Sequence, residues 1–134
     1  MFCAPNHLSS SYAVDRAISD EGDRLVVILF GAEQSEPVGL VSSTMCRLAR
    51  MAIMYTVNLE DVPDFVRLYG LTEPFAFMLF YRGARLQGDY GAGLMYKLTM
   101  VPDDEEFIAV IEAAYVAAHR GKMMFRSPLR LMEG

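Results

Sequence analysis

Apolar positions along this chain recur at helical spacing in some stretches and run unbroken in others. Val14, Ala17 and Ile18 fall on one face of a helix over residues 11–19, with Ser9 to Ser11 supplying capping oxygens. Residues 24–30, RLVVILF, are apolar without alternation, the pattern of a strand covered on both faces. Leu40, Val41, Met45, Leu48 and Ala49 return to helical spacing through about Met51, and AIMYTVNL then gives a second β-rich run ending near Leu59. EDVPDFVRLYG predicts a short helix with Pro63 in its first turn and Gly70 as its stop. FAFMLFYR, residues 75–82, is a third strand, ARLQGDYG its hairpin partner, and residues 91–102 are loop-like. Phe107, Ile111, Ala114, Tyr115 and Ala118 stripe a last helix over residues 103–121. Its acids Asp103 to Glu106 have capping-box spacing at the positive end of the dipole, which reads as helix grammar before it reads as a metal site.

The order α-β-α-β-α-β-β-α predicts an α/β domain over residues 1–134, with 121–134 as a C-terminal tail. Two βαβ crossovers would pair the early strands in parallel, and the hairpin would add an antiparallel edge. No run approaches the roughly 18 apolar residues that cross a bilayer. Residues 1–10 carry no Lys or Arg before their apolar residues and do not read as a secretory signal. A soluble intracellular protein is therefore expected. Its hydrophobic fraction of 53% is high enough that some apolar surface is expected to be buried against partners.

Chemistry-bearing residues are sparse. Cys3 and Cys46 match no metal motif and no disulfide framework, and His7 and His119 lack nearby ligand partners, so neither a metal nor a cofactor is expected. The net charge of −5 argues against broad affinity for nucleic acid, but the sign is uneven. Arg120, Lys122, Arg126 and Arg130 follow His119 with no acid among them. They are either cations at a helix C-terminus leading into a solvated tail, or a surface for phosphate or an acidic partner. Asp61 and Asp64 are likewise either caps of the short helix or partner contacts.

The loop after the first strand invites comparison with W-C-G-P-C of the thioredoxins, which it resembles without a gap. Gln34 takes the tryptophan position, Ser35 the attacking cysteine, Glu36 the glycine, Pro37 the proline and Val38 the resolving cysteine. Leu29 takes the place of the proton-shuttling aspartate, and Pro74 that of the cis-proline. The resemblance implies a thioredoxin-like fold, a central mixed sheet of about four strands flanked by helices, with an extra N-terminal helix. Thiol–disulfide exchange needs an attacking thiolate and a leaving thiolate, and a Ser–Val pair supplies neither. Ser35 does not lie in G-x-S-x-G either, which leaves it a polar turn residue or a helix cap.

More specific pieces follow in order: HL at His7–Leu8, VDRAI at Val14–Ile18, DRLVVILFG at Asp23–Gly31, IMYTVNLEDVPDF at Ile53–Phe65, EPFAFMLFYR at Glu73–Arg82, DYG at Asp89–Gly91, and RGK with SP at Arg120–Lys122 and Ser127–Pro128. On these the chain resembles the DIM family of thioredoxin-like splicing proteins. It departs from the family's usual pattern at Val38, at the turn GAGLMYK (residues 91–97) and in its shorter tail.

The resemblance implies a non-enzymatic nuclear subunit of the spliceosomal tri-snRNP (U-four/U-six.U-five), required for pre-mRNA splicing. Such a subunit is held between the large U-five scaffold protein and a helical-repeat bridging protein. It has no membrane and no small-molecule substrate. SnRNA or pre-mRNA phosphate contact would fall to the basic tail. Expected contact residues are Gln34, Ser35, Glu36, Pro37, Asp61, Asp64, Arg120, Lys122, Arg126 and Arg130. Two other readings stand beside it, a redox-inactive cytoplasmic adaptor and the splicing-linked DIM-like paralogue.

Overall fold

The structure, a computed structural model, describes residues 6–31, 47–100 and 103–130. Its centre is the strand β2, Leu25–Gly31, in which all seven residues are buried. The unbroken apolar run has the expected cause. Leu25, Val27 and Leu29 point to one face of the sheet, and Val26, Ile28 and Phe30 to the other, so both faces are covered. Strand β1 (Asn6–Leu8) and strand β3 (Ala52–Asn58) lie on one side of β2, and β4 (Phe75–Tyr81) and β5 (Ala84–Arg85) on the other. The order is β1-β3-β2-β4-β5, with a short strand at Lys97–Leu98 also paired to β4. The mixed sheet expected from the sequence is present, extended by two short strands that carry no readable pattern.

β2 and β3 are parallel, as the first crossover requires, but β4 runs antiparallel to β2. The expected second crossover is therefore absent. The helix α2, Pro63–Tyr69, has seven residues and rises only roughly 10 Å, against roughly 23 Å for a strand of that length, and the chain re-enters the sheet at the end where β3 leaves it. Gly70, at φ 61°, then ends the helix in the left-handed conformation that glycine adopts without steric cost.

Helices cover both faces. The helix α1, Ser11–Asp20, is capped by Ser10 Oγ, which accepts from the Ala13 N–H at 3.1 Å. With α2 it buries Val14, Ile18 and Phe65 against Phe30, Met78 and Phe80. The helix α3, Asp104–His119, has the full capping box: Asp103 Oδ1 accepts from the Glu106 N–H at 2.8 Å, and Glu106 Oε1 from the Asp103 N–H at 3.0 Å. It buries Phe107, Ile111, Ala114 and Ala118 on the opposite face, where Phe107 meets Phe77 with ring centroids 5.3 Å apart. Each such valine, isoleucine, methionine or phenylalanine side chain removed from water contributes about 1.5–3 kcal/mol, so the covered sheet is a main source of the fold's stability.

The largest departure from the sequence expectation is a second, three-stranded sheet, Leu94–Met95, Gln87–Asp89 and Met124–Arg126. In chain order these are β7, β6 and β9, the strand Lys97–Leu98 being β8. The hairpin partner of β4 thus ends at Arg85, and the chain then turns into a different sheet. The tail is not wholly solvated, because Phe125, Ser127 and Leu129 are buried in alternation with exposed Arg126, Pro128 and Arg130.

Candidate functional site

β6 and β9 pair in parallel, with Asp89 opposite Arg126, and this brings the DYG segment against the basic tail. Asp89 organises the junction. Its Oδ1 accepts from the Gly91 N–H at 2.9 Å, and its carbonyl accepts from the Ser127 N–H at 2.9 Å and from Arg130 Nη1 at 3.0 Å. The Arg130 guanidinium also lies 3.6 Å from the Asp89 carboxylate. Ser127 is buried and donates its hydroxyl to the Leu129 carbonyl at 2.8 Å, closing the turn from within. Below the junction Tyr90 and Phe125 meet edge to face, ring centroids 6.0 Å apart, and burial pushes the Tyr90 phenol up to about 12.

Gly88 is what lets these rings close. A Cβ there would stand 2.7 Å from the Tyr90 ring and 2.8 Å from the Phe125 ring. Both rings are buried and cannot swing aside, so Gly88→Ala is expected to cost about 1–2 kcal/mol through overpacking. The check is chemical denaturation of the two proteins. Equal midpoints would mean that the rings do not pack over Gly88.

The expected contact residues do not converge. Arg120, Lys122 and Arg126 are exposed and form no ion pair among the described residues, and Lys122 and Arg126 line one groove with Asp89, Leu94 and Met124. Asp61 and Asp64 belong to the other face of the central sheet, where Phe65 of α2 packs. Asp61 is exposed in a single 3-10 turn, and Val62 rather than either aspartate stands at the N-cap of α2. Asp64 pairs with Arg67 at 2.9 Å, both exposed, a contact worth little to stability. Gln34, Ser35, Glu36 and Pro37, with Val38, Cys3 and Cys46, lie outside the described residues.

Pro74 does not follow a cis bond, since no peptide bond among the described residues is cis. The trans form is favoured by roughly 0.5–1 kcal/mol before proline unless a tight turn selects otherwise, and here Phe75 is already in register with Gly31 of β2. Beside it Lys97 Nζ meets Glu73 Oε1 at 2.8 Å, and this hydrogen bond holds the Glu73 carboxyl below its usual range. Lys97 also donates to the Gly70 carbonyl, which ties the divergent turn to the end of α2.

One cluster had no sequence signal. The Arg85 guanidinium lies between the rings of Tyr69 and Tyr96, 4.9 and 4.1 Å from their centroids. With Leu68, Met78 and Met95 they line a groove of about 390 Å³. These residues come from four separated segments, so only the fold assembles them.

A family model described as Mitosis protein DIM1 matches residues 5–131. The mitosis protein dim1 of Schizosaccharomyces pombe is 36% identical over 127 residues, covering 91% of this chain and 89% of the relative. The spliceosomal protein DIB1 of Saccharomyces cerevisiae is 34% identical over 126 residues, covering 90% and 88%. Among solved structures, a point-mutant thioredoxin from Halobacterium salinarum superposes with a TM-score of 0.60 at 18% identity, over 81% of this chain and 88% of that one. The last likeness concerns the fold alone, and the fold is thioredoxin-like.

Proposed function

The chain belongs to the DIM1 family, matched over residues 5–131, and from that premise we propose that it is a non-enzymatic subunit of the spliceosomal tri-snRNP. In this reading it acts in the nucleus on pre-mRNA splicing by holding protein partners. The observation that carries it is identity of 31–36% to relatives named mitosis protein dim1 and spliceosomal protein DIB1, over about nine-tenths of their length. The relatives are named as splicing and mitosis proteins, not as oxidoreductases. At the thioredoxin dithiol positions the sequence has Ser35 and Val38, which cannot form or exchange a disulfide. The large U-five scaffold protein and the helical-repeat bridging protein are the proposed partners.

The test is to recover the tagged protein from nuclear extract and probe the bound RNA. Joint enrichment of the U-four, U-five and U-six small nuclear RNAs supports the reading. Background levels of all three, with the protein folded and abundant, would sink it and favour the cytoplasmic adaptor. Replacing Arg120, Lys122 and Arg126 together with glutamate is expected to lower that recovery several-fold. The melting temperature should hardly move, because exposed charges contribute little to folding. Full recovery from the triple variant would remove the basic tail from the contact surface.

A further inference from the structure

β9 is the end strand of its sheet among the described residues, paired only with β6. Gln87 donates its N–H to the Met123 carbonyl at 2.9 Å, and Ser127 donates to the Asp89 carbonyl at 2.9 Å. In a parallel ladder alternate residues address the same neighbour, so Met123, Phe125 and Ser127 turn their backbone groups to β6. The N–H and C=O of Met124 and Arg126 therefore face the open edge. Such an edge is a template for another strand. Over the exposed face of this sheet, bordered by β9, runs a groove of about 520 Å³, with Leu94, Met123 and Met124 supplying apolar surface and Lys122 and Arg126 supplying charge. Met124 is 50% exposed and Leu94 47%, a high exposure for apolar side chains in a chain with so large an apolar fraction.

We infer that the free edge of β9 takes up an extended, acidic and apolar segment of a partner protein as an added strand, whose side chains lie beside Met124 and Arg126 at the border of this groove. The inference rests on the partner-holding reading above and names the chemistry of one contact. Three observations select the occupant. The stretch from Arg120 to Arg130 holds four cations and no acid, in a chain of net charge −5, so this surface attracts carboxylates that the remainder repels. Among the described residues the one carboxylate in the groove, Asp89, is already engaged by Arg130 and by the Gly91 N–H. Met124 and Arg126 stand two apart on the outward face, a spacing that places an apolar side chain and a carboxylate of an added strand opposite them in turn. A single-stranded RNA would need exposed rings for its bases to stack on, and among the described residues the one aromatic side chain of the groove, Phe125, is buried.

The probe is a short synthetic peptide repeating Val-Thr-Glu-Thr, which puts valine and glutamate in turn on one face of a strand, titrated by fluorescence anisotropy against the purified chain. Saturable binding is expected, weakened about tenfold or more by the double change Lys122→Glu and Arg126→Glu at unchanged melting temperature. Met124→Pro deletes an outward N–H without touching the ladder to β6, since proline is tolerated on an edge, and it should also weaken binding. No binding to the wild type would overturn the inference and leave Lys122 and Arg126 as charges that keep a bare edge from self-pairing. Equal affinity in the charge-reversed protein, or preferential binding of a uridine oligonucleotide that displaces the peptide, would overturn it as well. This titration needs no extract, so its failure would leave the small nuclear RNA result standing, and the reverse also holds.

Discussion

Phe125→Ala should destabilise the protein by about 3–5 kcal/mol, the usual range for truncating a buried phenylalanine. The residue sits in the tail segment that composition alone marks as solvated, so the size of the loss is diagnostic. Its ring is 6% exposed, meets Tyr90 edge to face, and joins the same core as Phe107, Ile111 and Ala118 of α3. Truncation removes the one side chain of β9 that enters the core, and with it the anchor of the whole strand. The β6–β9 pairing and the Asp89–Arg130 junction should loosen together. Urea unfolding of the variant should show a lower midpoint, and amide exchange should quicken at Phe125 and Ser127, whose N–H groups face β6. A cost below about 1 kcal/mol, the level of an ordinary surface change, would mean that the tail is solvated after all. The position of Gly88 under both rings makes the two substitutions opposite probes of one contact. Enlarging the floor and emptying the space above it should each cost stability, and they should not add.

What could be read from the sequence follows from how local its causes are. The capping box of α3 is written in Asp103 and Glu106, three residues apart, and the limits of α2 in Pro63 and Gly70. β2 was legible because burial on both faces leaves no polar position in the run. β1 is three residues with no pattern, defined only by its pairing to β3 far along the chain. The second sheet is more instructive. β6 and β9 are separated by the whole of α3 and by the short strands, and no local propensity announces that pairing. A signal did exist in the tail. Phe125, Ser127 and Leu129 alternate with Arg126, Pro128 and Arg130, the period of a half-buried strand, and the conspicuous cations masked it. The contact surface was legible only as a charge bias. That Lys122 and Arg126 share a groove, while Asp61 and Asp64 belong to the opposite face, depends on a topology that local patterns predict only in part.

High pH should unfold this protein earlier than its Tyr90→Phe variant, because the Tyr90 phenol is raised from about 10 to about 12 by burial alone. Between those values the folded state keeps the proton while the unfolded chain releases it. The unfolded state then binds fewer protons, so stability falls as pH rises. The contribution is fully present below pH about 10 and is lost as pH climbs through about 12, a loss of about 2–3 kcal/mol for a rise of that size. Tyr90→Phe keeps the ring that packs on Phe125 and removes the titrating group. The two proteins should therefore have similar midpoints near neutrality and diverge above pH about 10, the variant being the more stable. Some alkaline loss should persist in it, since burial also raises the phenols of Tyr55 and Tyr69. Parallel curves through this range would mean that the Tyr90 hydroxyl reaches water freely. The DYG junction would then be open at its centre, and the anchoring of β9 through Phe125 would be in question with it.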